Sequence, residues 1–566
     1  MKLKIVFILA FFLIIPLDYL FAQPTSEQQY RTKELQDKEG VLRKKIEEKK
    51  PAPQIEKEVP APIVEPGPSE KALVNTIQVI GVTLIPEKEI RAITRPFENK
   101  ELDIKEMYQI ADRITDLYRR KSYITSRAYL PPQKIDRGVL EIRVLEGATG
   151  TLEVKGNRYF KSKLLLSRIT LKKGQPFNYD ILRRDMSKIN ENPDVFSRAA
   201  LVPGEEAGQT DIVLEVKDQL PIHAGFTWDD YGSRYIGSYR YNFKVSDNNL
   251  LGFGDSLNLQ FQAGQQDRYY LENINYLFPV SSGWKIGASA SLSKVKLGRE
   301  FEDSNVRGKT KVYSLFMNNT LIDKENFGLN LNFGFDYKDM INSQQQAVTS
   351  HDRLRVARTG FDIDMTDKFG RTLFNYEFDY GNPDIMGGMK AKDSNSSRPG
   401  AGGKFLKNTL NILRLQKLPF STNLLWKNQI QSSSYILPSA EQFQIGGIAN
   451  VRGYPPAEAV GDSGLATTFE WSLPVYPIHK QIKVPFSKAK LYDALRVALF
   501  YDWANSHLRR LGAGERKNYT LRSAGFGVRF NLPEDFSVRV DLGWPLDKKP
   551  SDSDHLHTWA QATKNF

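Results

Sequence analysis

The sequence predicts an all-β, sixteen-stranded transmembrane barrel, preceded by two small α+β domains of βααββ order and an N-terminal helix able to plug the barrel. Three observations predict this. From residue 222 to residue 566 the helical period is absent, and apolar and polar residues alternate with a period of two. The alternating runs are about ten residues long, the length a tilted strand needs to cross a bilayer. Strands of soluble sandwiches are usually only ~5–6 residues long. Between residues 76 and 216 a pattern repeats, with Thr76 answering to Thr151 (151 − 76 = 75).

Composition narrows the function. The 566 residues include no cysteine, which excludes disulfides, thiolate metal sites, Fe–S clusters and a cysteine nucleophile. Six histidines are scattered along the chain, so a His-rich metal site is not expected. Mean hydropathy is −0.45, too polar for a helical membrane protein but compatible with strands that hide their apolarity in alternation. The net charge of +13 is not clustered. Its densest basic stretch, Arg43 to Lys50, is interleaved with Glu47 and Glu48 and reads as a solvated helix face, not a nucleic-acid site.

The elements follow in chain order. Met1–Ala22 starts with Lys2 and Lys4, continues with the apolar run Ile5–Ile15 and ends on Ala22, which reads as a signal peptide. Residues 23–50 are rich in Glu, Gln, Lys and Arg and predict a polar helix, best over Thr25–Lys50. Residues 51–73 carry prolines at 51, 53, 60, 62, 66 and 68, an extended tether without a core. The repeat fills residues 74–147 and 148–219. Each unit opens with a strand ending in glycine, Gly81 or Gly156, then shows two helical stretches and two closing strands. Ile110, Ile114 and Leu117 fall on one helix face, spaced to pack on a small sheet. This order resembles the polypeptide-transport-associated (POTRA) domain. The resemblance implies capture of unfolded polypeptide by strand addition at a sheet edge.

Residues 220–566 contain sixteen alternating runs, the first near 222–230 and the last near 556–566. The connections after strands 5, 7, 9, 11 and 13 read as long polar outer loops, such as Gly381–Gly403 and Ser433–Ser463. Most others are short, such as Gln416–Leu418 and Leu532–Glu534, the asymmetry expected of an outer-membrane barrel. Pro474–Ala494 breaks the pattern. A barrel this wide cannot fill its lumen with its own wall side chains, so a plug or an inserted loop is expected.

The loop Ser433–Ser463 holds Phe443-Gln444-Ile445-Gly446-Gly447 and then Val451-Arg452-Gly453-Tyr454. With Phe500-Tyr501-Asp502, Gly525-Phe526-Gly527 and Asp541-Leu542-Gly543-Trp544-Pro545-Leu546, this ordered set resembles the two-partner secretion transporters, the outer-membrane exporters of haemolysins and filamentous adhesins. The resemblance implies that the Arg452 loop enters the barrel and docks on its inner wall. Alternation turns Phe500 and Asp502 inward, so Asp502 is the expected partner of Arg452, with Glu470 a competing or additional acceptor and Gly525 and Gly527 leaving room for the loop. Gly461-Asp462-Ser463-Gly464 looks like a protease nucleophile segment but reads as a tight turn, since no supporting histidine is evident. No phosphate-binding glycine loop is visible. No enzyme activity, cofactor or metal is expected.

The implied function is ATP-independent export of a large unfolded partner protein, adhesin- or haemolysin-like, across a Gram-negative outer membrane, with the POTRA units in the periplasm. Outer-membrane lipid and, during biogenesis, the barrel-assembly machinery are the other expected partners. An outer-membrane protein insertase of the same superfamily and a passive porin are the alternatives.

Overall fold

A computed structural model of the chain describes residue 46, residues 54–57 and residues 71–566, apart from 282, 325, 477–480, 486, 512–514 and 534. The expected signal peptide lies outside the described residues, as does the expected helix 23–50 apart from Ile46. The chain divides into two compact units, one built around residues 51–221 and one around the barrel.

The first unit contains two βααββ modules in tandem. In the first, the strand Thr76–Ile80 lies parallel to Val139–Leu145, which pairs on its other side with Arg127–Tyr129. The helix Ile104–Arg120 begins with a capping box, in which Asp103 accepts from the Glu106 amide and Glu106 accepts from the Asp103 amide. Its Ile110 and Ile114 are fully buried against Ile77, Leu140 and Ile142, the helix-on-sheet core that the spacing predicts. The second module repeats the plan with strands Ala148–Lys155, Val195–Pro203 and Gln209–Asp218. Its core centres on Phe177, Leu182, Met186, Ile212 and Leu214. Gly81 and Gly156 close the first strand of each module with φ of +89° and +86°. A Cβ there would lie 2.4 Å from the Val144 carbonyl oxygen or 2.5 Å from that of Val216, so only glycine lets both backbones approach.

The Pro-rich tether is not featureless. Gln54–Lys57 forms a strand parallel to Arg198–Leu201 and becomes the edge of the second module's sheet. The segment lies between prolines and contains none, so its amides are free to join a ladder.

In the second unit sixteen antiparallel strands close into a barrel. They are β1 (Ile222–Asp229), β2 (Arg240–Asp247), β3 (Ser256–Gly264), β4 (Tyr269–Ser281), β5 (Trp284–Lys296), β6 (Arg307–Asp323), β7 (Phe327–Gln344), β8 (Ala347–Asp367), β9 (Gly370–Gly381), β10 (Phe405–Leu418), β11 (Thr422–Ser433), β12 (Ser463–Pro474), β13 (Leu495–His507), β14 (Asn518–Leu532), β15 (Phe536–Pro545) and β16 (His557–Asn565). Closure matters because an unpaired strand edge has no partner in hydrocarbon. β13 shows the alternation: Leu499 and Tyr501 are exposed on the outer face, while Ala498, Phe500 and Asp502 are buried inward.

One expected outer loop is absent. β7 and β8 run 18 and 21 residues and meet in a two-residue turn at Gln345–Gln346, both at positive φ. The alternation of apolar residues stops near Lys338, because strand beyond the bilayer has no greasy face to keep. The backbone pairing continues without it. The irregular connection after β12 ends in a single helical turn, Leu491–Ala494.

β1 and β16 close the barrel through five register pairs, Gly225–Asp229 with Gln561–Asn565. The C-terminal Phe566 extends the seam by exchanging backbone bonds with Ala224 at 2.8 and 3.3 Å. Just beyond β1, Asp230 Oδ1 accepts the Ala560 amide at 2.7 Å. Burial pushes the Asp230 carboxyl up to about 6.

Two predictions follow from these contacts. Gly156→Ala should cost about 1–2 kcal/mol, so that amides of Ala148–Lys155 and Gln209–Asp218 exchange hydrogen roughly 5–30-fold faster in the intact protein. The folded pKa of Asp230 lies above the unfolded one, so its contribution is full below about pH 4 and is lost as pH rises through about 6. The barrel's heat-conversion temperature on gels should therefore fall less between those limits in Asp230→Asn than in the parent.

Candidate functional site: a loop pinned inside the barrel

The connection between β11 and β12 folds into the lumen. It leaves β11 through a short 3₁₀ turn, Ser439–Glu441, then forms a small hairpin in which Phe443–Ile445 pairs with Ala459–Gly461. Gly446 and Gly447, at φ of +109° and +82°, reverse the chain toward the tip. Val451 and Tyr454 are fully buried at that tip, in an apolar cluster with Phe443, Ile445, Ala466, Ala504 and Leu521.

Arg452 lies between these two apolar side chains and is only 2% exposed. Asp502 of β13 receives its Nε and Nη2, each at 3.0 Å, and its backbone amide at 3.1 Å. Glu470 of β12 takes Nη1 at 2.7 Å, and Asp541 of β15 lies 3.5 Å from the same nitrogen. The guanidinium plane sits 3.4 Å from the centre of the Phe500 ring. The Arg452 carbonyl accepts from Trp559 Nε1 of β16 at 2.8 Å. The structure therefore brings Arg452, Asp502, Glu470 and Phe500 together. A planar five-donor fork suits this site, because three carboxylates surround one cation.

The two inward glycines serve differently than expected. A Cβ at Gly525 would lie 2.4 Å from Phe500 Cζ, and one at Gly527 would lie 2.2 Å from Asp541 Oδ1. They make room for the ring and the carboxylate that hold Arg452, not for the loop. The loop itself abuts Ser523 and Gly543. A Cβ on Gly543 would meet the Arg452 carbonyl at 2.6 Å, and one on Gly453 would meet Ser523 Cβ at 2.7 Å.

Several participants escaped sequence reasoning. Asp541 is salt-bridged to Arg529 and Arg539, each at 2.6 Å, and Arg529 also reaches Glu470 at 3.3 Å. Asp541 shares the inward phase of β15 with Gly543, so alternation had marked its direction though not its partner. Nothing local marked Glu441, which is fully buried between Lys338 and Lys407. Asp462, in the tetrapeptide that imitates a protease motif, ties three outer connections together. Its carboxylate accepts from the Leu437 and Arg509 amides at 2.8 Å each and from Arg398 Nη1 at 2.6 Å.

Ile46 is also inside the barrel. It is helical and 2% exposed, and it packs with Leu373, Leu413 and Leu425, inward residues of β9, β10 and β11.

A closed wall of sixteen strands, with a loop pinned in its lumen, defines an outer-membrane pore of the polypeptide-transport class. Residues 208–492 match the family described as haemolysin secretion/activation protein ShlB/FhaC/HecB, and residues 72–147 match its ShlB-type POTRA domain. The chain belongs to that family, the two-partner secretion transporters of the outer membrane, whose POTRA domains lie in the periplasm. Among relatives, it is 25% identical to the heme/hemopexin transporter protein HuxB of Haemophilus influenzae, over 84% of each chain. It is 24% identical to the outer membrane transporter CdiB of Dickeya dadantii, over 69% of this chain and 72% of that one. The solved structure of CdiB from Escherichia coli shares the fold, with a TM-score of 0.74 at 21% identity, covering 96% of this chain and 99% of that one.

Removing one member of a buried ion cluster leaves the others uncompensated, at about 3–5 kcal/mol. Arg452→Ala should therefore lower the heat-conversion temperature of the folded barrel well below that of Arg452→Lys, which keeps the charge but loses the fork. Exchanging the charges of Arg452 and Asp502 together should recover part of what either single exchange loses.

Proposed function

We propose that this chain exports one large partner protein, unfolded, from the periplasm to the cell surface without ATP. The POTRA modules capture an extended segment of the partner at a sheet edge, where main-chain bonds supply affinity with little demand on sequence. The partner then threads the lumen, and its folding outside supplies direction. The closed wide barrel joined to two βααββ modules carries this reading: a porin has no use for such modules. The partner's chemistry is that of a long secreted polypeptide.

The lumen must be shut when no partner is present. In this reading the helix over Thr25–Lys50 is the plug. The support for it is Ile46, one of the few apolar residues of a mostly polar segment, seated against three leucines that face a lumen otherwise rich in polar side chains. Those leucines would be exposed to water without a cover. Val451, Arg452, Gly453 and Tyr454 hold the loop tip on the wall through Asp502, Glu470 and Phe500, keeping a fixed obstacle beside the route.

Deleting residues 75–219 should abolish appearance of the partner at the surface while the barrel still reaches the outer membrane. Ile46→Asp should raise the conductance of the intact protein in planar bilayers several-fold. It places a charge on the leucine patch at a cost of a few kcal/mol. Unchanged conductance would mean that Ile46 does not hold the plug.

A further inference from the structure

The lipid-facing side of the barrel is not uniform. The chain enters β1 from the periplasmic modules, so odd-numbered strands run outward, and β5 ends and β6 begins at the outer surface. Near that end the outward positions carry lysine. Lys294 of β5 stands opposite Lys309 of β6, and Lys311 stands opposite Leu292, one step nearer the bilayer. They share the phase of Ile286 and Leu315, which are exposed, whereas Val295 and Val312 are buried on the inner side. Below them Tyr313 and Tyr337 are paired, ring centres 6.2 Å apart, at the aromatic level where such barrels leave the hydrocarbon. On β11–β13 the outward positions at the same end are Ile430, Ser432, Leu465, Trp503 and Asn505, none of them charged.

Like charges directly opposite one another destabilise a sheet, so this arrangement calls for an anion. The protein does not supply it. Among the described residues Lys294, Lys309 and Lys311 make no ion pair. The acids around them are held elsewhere or out of reach. Asp339, opposite Lys311, lies 2.8 Å from His351 Nε2. Glu302 reaches Arg268 at 2.8 Å and Lys296 at 3.8 Å, Glu300 reaches Arg234 at 3.4 Å, and Asp267 accepts the Tyr270 hydroxyl. Asp303, on the connection between β5 and β6, pairs with none of the three lysines.

Toward the bilayer centre the same face is hollowed. β5 presents only Ala288 and Ala290 where its neighbours present Tyr276 and Ile274 on one side and Leu315 and Tyr313 on the other. Over Ala290 lies a groove of about 430 Å³, walled by Phe243, Phe261, Ile274, Leu292 and Tyr313. The one acid in its lining is Glu272, opposite Leu292 and so one step below Lys294.

We propose that this face binds one phosphorylated lipid of the outer leaflet, with an acyl chain in the groove over Ala290 and a headgroup phosphate held by Lys294, Lys309 and Lys311. Hydrocarbon covers the whole wall in a membrane, so what sets this face apart is selection by the phosphate. Free phosphate would satisfy the lysines and leave the groove empty, and an uncharged lipid would do the reverse. Glu272 repels phosphate from the groove itself and so keeps the anion at the lysines. Ammonium groups at headgroup level attract anionic lipid, and the attraction decays within a Debye length, so only a phosphate seated at this depth gains from all three.

The full-length protein in detergent is titrated with diphosphoryl lipid A, and the bound fraction is read by native mass spectrometry. Lys294→Gln, Lys309→Gln and Lys311→Gln combined should weaken binding at least about tenfold. The same change at Lys88, Lys368 and Lys417, exposed lysines outside the patch, should leave it within about twofold. Equal weakening by both triple variants would overturn the site. Lipid A stripped of its phosphates should bind the parent as weakly as intact lipid A binds the first variant; undiminished binding would overturn phosphate recognition without any change to the protein. Ala290→Trp fills the groove with the lysines intact and should also weaken binding; unchanged affinity would overturn the acyl-chain contact. Complete displacement of lipid A by inorganic phosphate would overturn the lipid as the ligand.

Discussion

Every backbone amide and carbonyl inside a bilayer must find its partner within the protein. In this chain that constraint is met by sixteen strands closing on themselves, the last returning to the first through Gln561–Asn565 and Phe566. Closure at this strand number produces a lumen wider than wall side chains can fill. The other features answer to that lumen: a loop enters it, Ile46 covers leucines within it, and charged clusters line it. The short β1–β16 seam, five pairs against eighteen between β7 and β8, is the least paired part of the wall.

The lumen is also where burial and charge meet. Arg452 is among the largest fully buried side chains, and it is held by carboxylates from three different strands. None of those carboxylates is costly alone in water, but each is costly in a dry wall without a cation. The loop and the wall thus complete each other electrostatically. Phe500 beneath the guanidinium, and the glycine at 525 that admits its ring, extend the complementarity to shape. Asp462 plays a parallel role at the outer rim, where one carboxylate satisfies donors from three connections.

Much of this was legible in the chain. Period-two alternation located all sixteen strands, since a strand between lipid and water must sort its residues by face. The same alternation aimed Asp502, Glu470 and Phe500 inward, and the tetrapeptide Val451–Tyr454 marked the loop that meets them. The misses have physical causes. The extension of β7 and β8 beyond the bilayer carries no alternation, because both faces there are wet. Gln54–Lys57 joins a sheet through backbone bonds, which four residues of ordinary composition do not advertise.

Alternation by itself determined the barrel, its strand count and the direction of each wall side chain, because facing is a local property of a strand. The repeat with glycines at 81 and 156 likewise determined two modules of one plan. The resemblance and the alternation together pair Arg452 with Asp502, 50 residues away, but only the tertiary structure decided the other charge encounters. Glu441 lies 103 residues from Lys338 and 34 from Lys407. Those encounters depend on barrel register and on how deep the loop descends. Both are set by the sum of many contacts across the wall, and no single segment of the chain encodes them.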